Sequence, residues 1–107
     1  MKTGDIVLIP FPFAELTQVK ARPAVVISET ADRYSDLIVC AISSVIPAEL
    51  TKNEFIVSPS KENGLRVASV VKVDRIVTTK KESIITNLGK LSDEDCKKLK
   101  VAFKSLV

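Results

Sequence analysis

The side chains that could carry chemistry are unevenly represented, because the 107 residues include no histidine and only two cysteines. Histidine is the usual acid–base catalyst near neutral pH, since its unperturbed pKa is about 6.5. Cys40 and Cys96 lie in separate apolar segments, and we predict that both are buried thiols in a reducing compartment. Catalysis would therefore rest on hydroxyl, carboxylate, ammonium and guanidinium groups, and a zinc site is not expected.

Several polar residues lie at the ends of apolar runs or inside them. Arg22 precedes one run, Ser43-Ser44 follows another, and Lys72 and Asp74-Arg75 lie within and after a third. A guanidinium fork suits phosphate oxygens, and a carboxylate can accept a proton. Taken alone, each position is also typical of an ordinary surface: a charge leading a strand, a strand-to-loop serine pair, an outward-facing lysine and a surface ion pair.

The apolar runs that would position these groups have the length of β-strands and are bounded by polar or turn-forming residues. Five strands are predicted, at Ile6-Val7-Leu8-Ile9, Pro23-Ala24-Val25-Val26-Ile27-Ser28, Leu37-Ile38-Val39-Cys40-Ala41-Ile42, Glu54-Phe55-Ile56-Val57 and Ser69-Val70-Val71-Lys72-Val73. The second and third are typical of central strands covered on both faces. Pro10-Phe11-Pro12 predicts a loop after the first strand, and Asn63-Gly64 predicts a turn before the fifth.

The end of the chain is predicted to be helical. Ser92 is a suitable N-cap, and the acidic residues that follow it favour the positive end of the helix dipole. One apolar face is predicted from the spacing of Cys96, Leu99, Phe103 and Leu106. Many short strands, one terminal helix and no β-α-β alternation predict a single mainly β domain over residues 1–107, a small SH3-like, partly open antiparallel barrel.

The composition restricts the partners. Apolar residues make up 46% of the chain, which is rich for one small domain and favours a buried subunit interface. The net charge of +3 permits a polyanionic partner without requiring one. No apolar stretch approaches the ~20 residues of a membrane-spanning helix, and no secretory signal is evident, so we expect a soluble cytoplasmic protein.

A series of short segments spread over nearly the whole chain carries a more specific pattern. In chain order these are Gly4-Asp5-Ile6-Val7, Thr17-Gln18-Val19-Lys20-Ala21, Arg22-Pro23-Ala24-Val25-Val26-Ile27-Ser28, Ala41-Ile42-Ser43-Ser44, Ser69-Val70-Val71-Lys72-Val73-Asp74-Arg75-Ile76 and Leu88-Gly89-Lys90-Leu91-Ser92. Together they resemble the MazF/PemK toxins of bacterial toxin–antitoxin pairs. The Arg-Pro step before an apolar strand is the most specific part of the resemblance.

The resemblance implies a homodimeric toxin that cleaves messenger RNA at short sequences and is held inactive by a cognate antitoxin with a disordered segment. Arg22 matches the catalytic arginine of the family, and Ser43 falls where many members have a catalytic threonine. Lys72 and Asp74 match an Arg-x-Asp pair of PemK-type relatives. Those relatives also use a histidine in the first loop, and this chain departs from them because it has Leu16 or Thr17 there.

Such a reaction needs few groups, since RNA carries its own nucleophile in the 2′-hydroxyl. Arg22 suits the charge that develops on the phosphate, Ser43 can donate a hydrogen bond to it, and Asp74 can accept the 2′-proton. The expected products carry a 2′,3′-cyclic phosphate and a 5′-hydroxyl, with no metal or cofactor. The residues expected to bind RNA are Thr17, Gln18, Lys20, Ser44, Lys72 and Arg75.

Two other functions remain open from the sequence. A CcdB-like toxin on the same fold would poison DNA gyrase without catalysis, but that family acts through a terminal Trp-Gly-Ile, and this chain has no tryptophan. A catalytically silent SH3-like module would bind RNA and leave it uncut. In the toxin interpretation, the loop of residues 14–21 is expected to be mobile in the free protein and to serve both RNA and antitoxin.

Overall fold

A computed structural model of the chain describes residues 1–11 and 20–107, apart from the side chain of Phe11. In chain order its elements are β1 (Asp5–Phe11), β2 (Lys20–Glu29), β3 (Leu37–Ser43), β4 (Glu54–Val57), β5 (Ser69–Thr79), a short 3-10 helix (Lys81–Ser83), β6 (Thr86–Lys90) and α1 (Asp93–Lys104). The strands form one antiparallel sheet in the order β4-β5-β3-β2-β1-β6, curled into a half-barrel. The predicted mainly β fold with a C-terminal helix is confirmed.

The prediction that β2 and β3 are central strands covered on both faces is also confirmed. Successive side chains of a strand point to opposite faces, yet Val25 and Val26 on β2 are both fully buried, as are Cys40 and Ala41 on β3. One of each pair belongs to the apolar cluster that packs under α1, and the other belongs to a second cluster on the opposite face. The sheet therefore has two apolar faces, which explains why the sequence runs are continuously apolar.

One strand was missed by the sequence prediction. β6 contains Asn87 and Gly89, two residue types that disfavour strands, so its local preference is weak. It is an edge strand held by pairing with β1, and the register of that pairing shifts between Ile6 and Val7. Because the pairing supplies the backbone hydrogen bonds, the strand forms despite its composition.

The predicted helix is present, but its predicted apolar face is partly wrong. Ser92 is the N-cap, since its hydroxyl accepts a hydrogen bond from the Asp95 amide at 3.1 Å. Leu99 and Ala102 are buried, whereas Phe103 is 42% exposed and Leu106 is 37% exposed. The helix ends at Lys104, before Leu106, and the small Ala102 faces the sheet in place of Phe103.

The two cysteines differ from each other, and both are free thiols. Cys40 is buried between β2 and β5, as predicted, and its burial raises the pKa of the thiol to about 12. Cys96 is only half-buried, so the prediction of full burial is wrong there, because it lies on the first turn of α1 near the helix end.

Among the helices of the described ranges, none is long and apolar enough to cross a membrane.

Candidate active site

The candidate site lies where β2 begins and β3 ends. The β2–β3 ladder ends at the pair Ala24 and Ala41, and carrying its spacing two residues further places Arg22 beside Ser43. Residues two apart in a strand share a face, so Arg22 and Ser43 project from the face that carries these two alanines. Both side chains are half-buried. The fold therefore brings together the two residues that sequence reasoning placed at the centre of the site.

Ser43 also shapes the turn that follows β3. Its hydroxyl oxygen accepts a hydrogen bond from the Val45 amide at 3.1 Å, which holds the chain as it leaves the strand. A hydroxyl that accepts one bond keeps its own proton for donation. Ser43 can thus be fixed by the backbone and still donate to a bound ligand.

Lys72 has an ion-pair partner that the sequence analysis did not single out. Its ammonium lies 2.7 Å from Oε2 of Glu54, directly opposite it on β4. The Glu54 side chain is only 7% exposed, and its other oxygen accepts from the Thr51 amide at 2.9 Å. Lys72 is also opposite Ala41, so it shares the face of Arg22 and Ser43. The positive charge predicted to bind RNA is therefore partly balanced by a buried carboxylate.

The ion pair between Lys72 and Glu54 leads to a prediction for the pH dependence of the free energy of unfolding. The hydrogen bond from Lys72, and then that from the Thr51 amide, hold the pKa of Glu54 below its ordinary 4.5. Because the pKa of Glu54 is lower in the folded state, the ionised carboxylate stabilises the fold above pH 4.5. This stabilisation is lost as the pH falls through the folded-state pKa. We expect Glu54→Gln to remove about 1 kcal/mol of this dependence, the scale of a partly exposed ion pair.

Urea denaturation of wild type and Glu54→Gln from pH 7 to about pH 3 checks this expectation. The matched control is Glu82→Gln, which removes an exposed carboxylate from the 3-10 helix. The control should follow the wild-type curve. If the free energies of unfolding of wild type and Glu54→Gln changed with pH in parallel, the Lys72–Glu54 ion pair would contribute nothing to the loss of stability in acid.

Asp74 and Arg75 lie in an irregular part of β5. Lys72 is opposite Ala41, but the next paired residue of β5 is Ile76, so residues 73–75 form a bulge. The side chains of Asp74 and Arg75 are both exposed. The negative charge of Asp74 makes a small contribution to the raised pKa of the Cys40 thiol. The bulge separates Asp74 from the paired row in which its sequence position would otherwise place it.

The remaining predicted RNA-binding residues divide into two groups. Lys20 is exposed at the start of β2, opposite Phe11. Ser44 is exposed just after β3. Thr17 and Gln18 lie outside the described residues, as does most of the predicted loop of residues 14–21, so their placement stays a prediction.

A groove of about 330 Å³ is lined in part by Arg22 but not by Ser43. Its described lining consists of Leu8, Arg22, Pro23, Ile42, Ser44, Gly64, Leu65, Arg66, Val67, Ser69 and Leu88. Asp74 and Arg75 are outside this set. Arg66 was not identified from the sequence, because an arginine in a loop after a turn is an ordinary surface residue. In the described ranges, no group of three or more cysteine, aspartate and glutamate residues is placed to hold a metal ion.

The fold and the site define a class: a small half-barrel with an arginine and a serine at the adjoining ends of its central strands. The family model of the PemK-like, MazF-like toxins of type II toxin–antitoxin systems matches residues 2–107. The chain belongs to this family. A comparison with curated proteins found no match.

Solved structures with the same fold include three proteins of low sequence identity. A mycobacterial endoribonuclease in complex with its cognate antitoxin has a TM-score of 0.73 at 17% identity, covering 96% of this chain and 90% of that one. A second mycobacterial endoribonuclease has a TM-score of 0.70 at 17% identity, covering 96% and 86%. The Mycobacterium tuberculosis toxin MazF-mt6 has a TM-score of 0.70 at 20% identity, covering 94% and 93%. At such identities the likeness concerns the fold.

Proposed function

We propose that this toxin is an endoribonuclease that cuts single-stranded messenger RNA at short sequences. The observation that carries the proposal is the placement of Arg22 beside Ser43 at the adjoining ends of β2 and β3, in a chain of the PemK-like, MazF-like family. Two of the structures with this fold are described as endoribonucleases, which supports the same activity. The 2′-hydroxyl attacks the adjacent phosphorus, and the products carry a 2′,3′-cyclic phosphate and a 5′-hydroxyl.

Arg22 and Ser43 act on the phosphate that is cut. Residues opposite each other on antiparallel strands are about 5 Å apart, so two such side chains can contact different oxygens of one phosphate. The Arg22 guanidinium donates to the non-bridging oxygens, where negative charge increases in the transition state. The Ser43 hydroxyl donates to the same group. Their placement by the sheet orients the phosphate before the reaction begins.

Because the chain has no histidine, other side chains must transfer the protons of this reaction. We assign Asp74 as the acceptor of the 2′-proton, because it is an exposed carboxylate in the bulge just after Lys72. Lys72 forms an ion pair with Glu54, so we assign it the role of attracting the negative RNA backbone rather than that of a proton donor. Arg75 and Lys20 add exposed positive charge, and Ser44 adds a hydroxyl at the groove. Thr17 and Gln18 are proposed to contact RNA from the preceding loop.

The partners follow from family membership. A type II toxin is neutralised by a protein antitoxin, and one structure with this fold is a complex with its cognate antitoxin. We propose that an acidic segment of the antitoxin covers the loop of residues 14–21 and approaches Lys20 and Arg22, where its carboxylates replace RNA phosphates. We also propose a homodimer, because Val101 and Phe103 leave apolar surface exposed on α1. We further propose that the protein acts in the cytoplasm.

The proposed reaction predicts that EDTA leaves cleavage intact, because RNA supplies the nucleophile and Arg22 supplies the charge. The measurement is incubation of purified protein with a long single-stranded RNA, with EDTA or with Mg²⁺, followed by mapping of the new ends. Equal rates and cyclic-phosphate ends are expected. RNA with a 2′-deoxy nucleotide at the mapped cut is the control and should stay intact. Activity that EDTA abolishes and Mg²⁺ restores would contradict the mechanism.

A further inference from the structure

Glu54 is a carboxylate in an unusual position, because its side chain is only 7% exposed although it lies on an edge strand of the sheet. Charged side chains are rarely buried unless they are paired. One carboxylate oxygen accepts from the Lys72 ammonium at 2.7 Å, and the other accepts from the Thr51 amide at 2.9 Å. Both oxygens of the carboxylate are therefore held in place.

The segment that carries Glu54 is itself attached to the rest of the fold. The Glu54 amide donates to the Thr51 carbonyl at 3.2 Å, and the Asn53 amide donates to the Thr51 hydroxyl at 3.2 Å. The Asn53 side chain donates to the Ala102 carbonyl on α1 at 3.0 Å. Its backbone carbonyl accepts from the Val73 amide on β5 at 2.9 Å. Because α1 and β5 hold this backbone, Glu54 is the fixed member of the ion pair.

Lys72 is the adjustable member of the pair. Its side chain is 26% exposed, and its ammonium lies at the end of a flexible four-carbon stem. An ammonium has three protons, and the bond to Glu54 uses one, so two remain for a ligand. Lys72 is opposite Ala41 and thus diagonal to Ser43, which is two residues further along β3 on the same face. Diagonal neighbours are about 7–8 Å apart, a distance that a long side chain spans.

The ion pair determines the direction in which the ammonium lies. In the sheet, β5 lies between β3 and β4, so Glu54 and Ser43 are on opposite sides of Lys72. The 2.7 Å contact with Glu54 draws the ammonium toward β4 and away from Ser43. A lysine without this contact would occupy many rotamers, and fixing it in one costs entropy. Glu54 imposes this order before any ligand binds, so the position of the ammonium is preorganised.

We propose that Glu54 is a positioning residue, which holds the Lys72 ammonium against the phosphate next to the cut and so aligns the RNA for attack by its 2′-hydroxyl. This inference rests on the proposed ribonuclease function. Arg22 and Ser43 hold the phosphate that is cut, and Lys72 fixes the direction in which the RNA chain continues. Glu54 also balances the charge of Lys72, so it weakens the attraction for RNA while it improves the alignment.

The test measures RNA binding and cleavage separately for Glu54→Gln in the full chain. Glutamine keeps a carbonyl oxygen for the Thr51 amide but has no charge to hold Lys72. Binding to an RNA made uncleavable by a 2′-deoxy nucleotide at the mapped cut is expected to become about threefold tighter, with the salt dependence raised by about one phosphate contact. Single-turnover cleavage at saturating RNA is expected to fall about tenfold, because the RNA is less well aligned.

Three further variants show whether Glu54 acts through Lys72. In a Lys72→Gln background, Glu54→Gln should have little further effect on the cleavage rate, because the residue that it positions is absent. Glu54→Asp keeps the charge but shortens the side chain, so cleavage should slow while the salt dependence of binding stays that of wild type. The matched control is Glu49→Gln, which removes an exposed carboxylate from the preceding loop and should bind and cut RNA like wild type.

If wild type cuts RNA, but Glu54→Gln slows cleavage as much with Lys72→Gln as without it, the positioning role is wrong and the ribonuclease function stands. Tighter binding with unchanged cleavage would overturn the inference too, since Glu54 would then only repel RNA. Weaker binding together with slower cleavage would assign Glu54 a structural role in its place. A wild-type protein that leaves RNA uncut would refute the ribonuclease function itself.

Discussion

Arg22→Ala is expected to lower the rate of RNA cleavage about 10²–10³-fold, equivalent to ~3–4 kcal/mol in the transition state. The guanidinium is the fixed positive charge of the Arg22–Ser43 pair, and the phosphate gains negative charge as the 2′-oxygen attacks. Alanine removes every donor of this fork at once. Single-turnover cleavage at saturating RNA separates this effect from weaker binding.

Two further variants make the result specific to Arg22. Arg33→Ala removes an arginine from the β2–β3 connection, at the other end of β2, where the guanidinium lies over the Tyr34 ring at 5.0 Å. It should cleave at the wild-type rate. Arg22→Lys keeps a charge but loses the planar fork, so its rate should fall between wild type and Arg22→Ala. A folded Arg22→Ala protein that cleaves like Arg33→Ala would return Arg22 to the role of a strand-leading surface charge.

Ser43→Ala is expected to cost about 10²-fold in the cleavage rate, at the lower end for loss of one donor to the reacting group. Ser43→Thr should retain most of the activity, because the hydroxyl is preserved and Ser43 is only half-buried, which leaves room for one methyl group. Both are measured under the same single-turnover conditions as Arg22→Ala.

The turn after β3 complicates Ser43→Ala, since the same hydroxyl accepts the Val45 amide. Thermal unfolding of each variant shows whether the turn has loosened, and threonine can keep that bond. Ser28→Ala, at the far end of β2, removes an exposed hydroxyl without touching the site. Equal cleavage rates for alanine, serine and threonine at position 43 would remove Ser43 from the reaction.

Local chemistry was enough to predict much of this protein from its sequence. Ser92 caps α1 because a cap depends on a hydroxyl and the amides within one turn of it. β2 and β3 follow from apolar runs that no neighbouring element has to specify. Arg22 and Ser43 were predicted as site residues from the family resemblance. The Asn63-Gly64 turn is local too, since glycine adopts its left-handed backbone conformation without a steric penalty.

Strand pairing decided what the sequence left open. Glu54 and Lys72 are 18 positions apart, and only the register of β4 on β5 makes them partners. The bulge at residues 73–75 moves Asp74 out of the paired row, and β6 exists because β1 supplies its hydrogen bonds. Packing placed Ala102 rather than Phe103 against the sheet.

The groove lined by Arg22 and Arg66 has the same origin, because its walls come from β1, β2, β3, β5, β6 and two loops. Propensities and caps act over a few residues, so the sequence by itself determined the described strands other than β6, and the start of α1. Register, bulges and grooves are set by contacts between distant segments, whose relative energies depend on the whole packed core. For that reason only the tertiary structure identified the partner of Lys72, the displacement of Asp74 and the place of Arg66 beside Arg22.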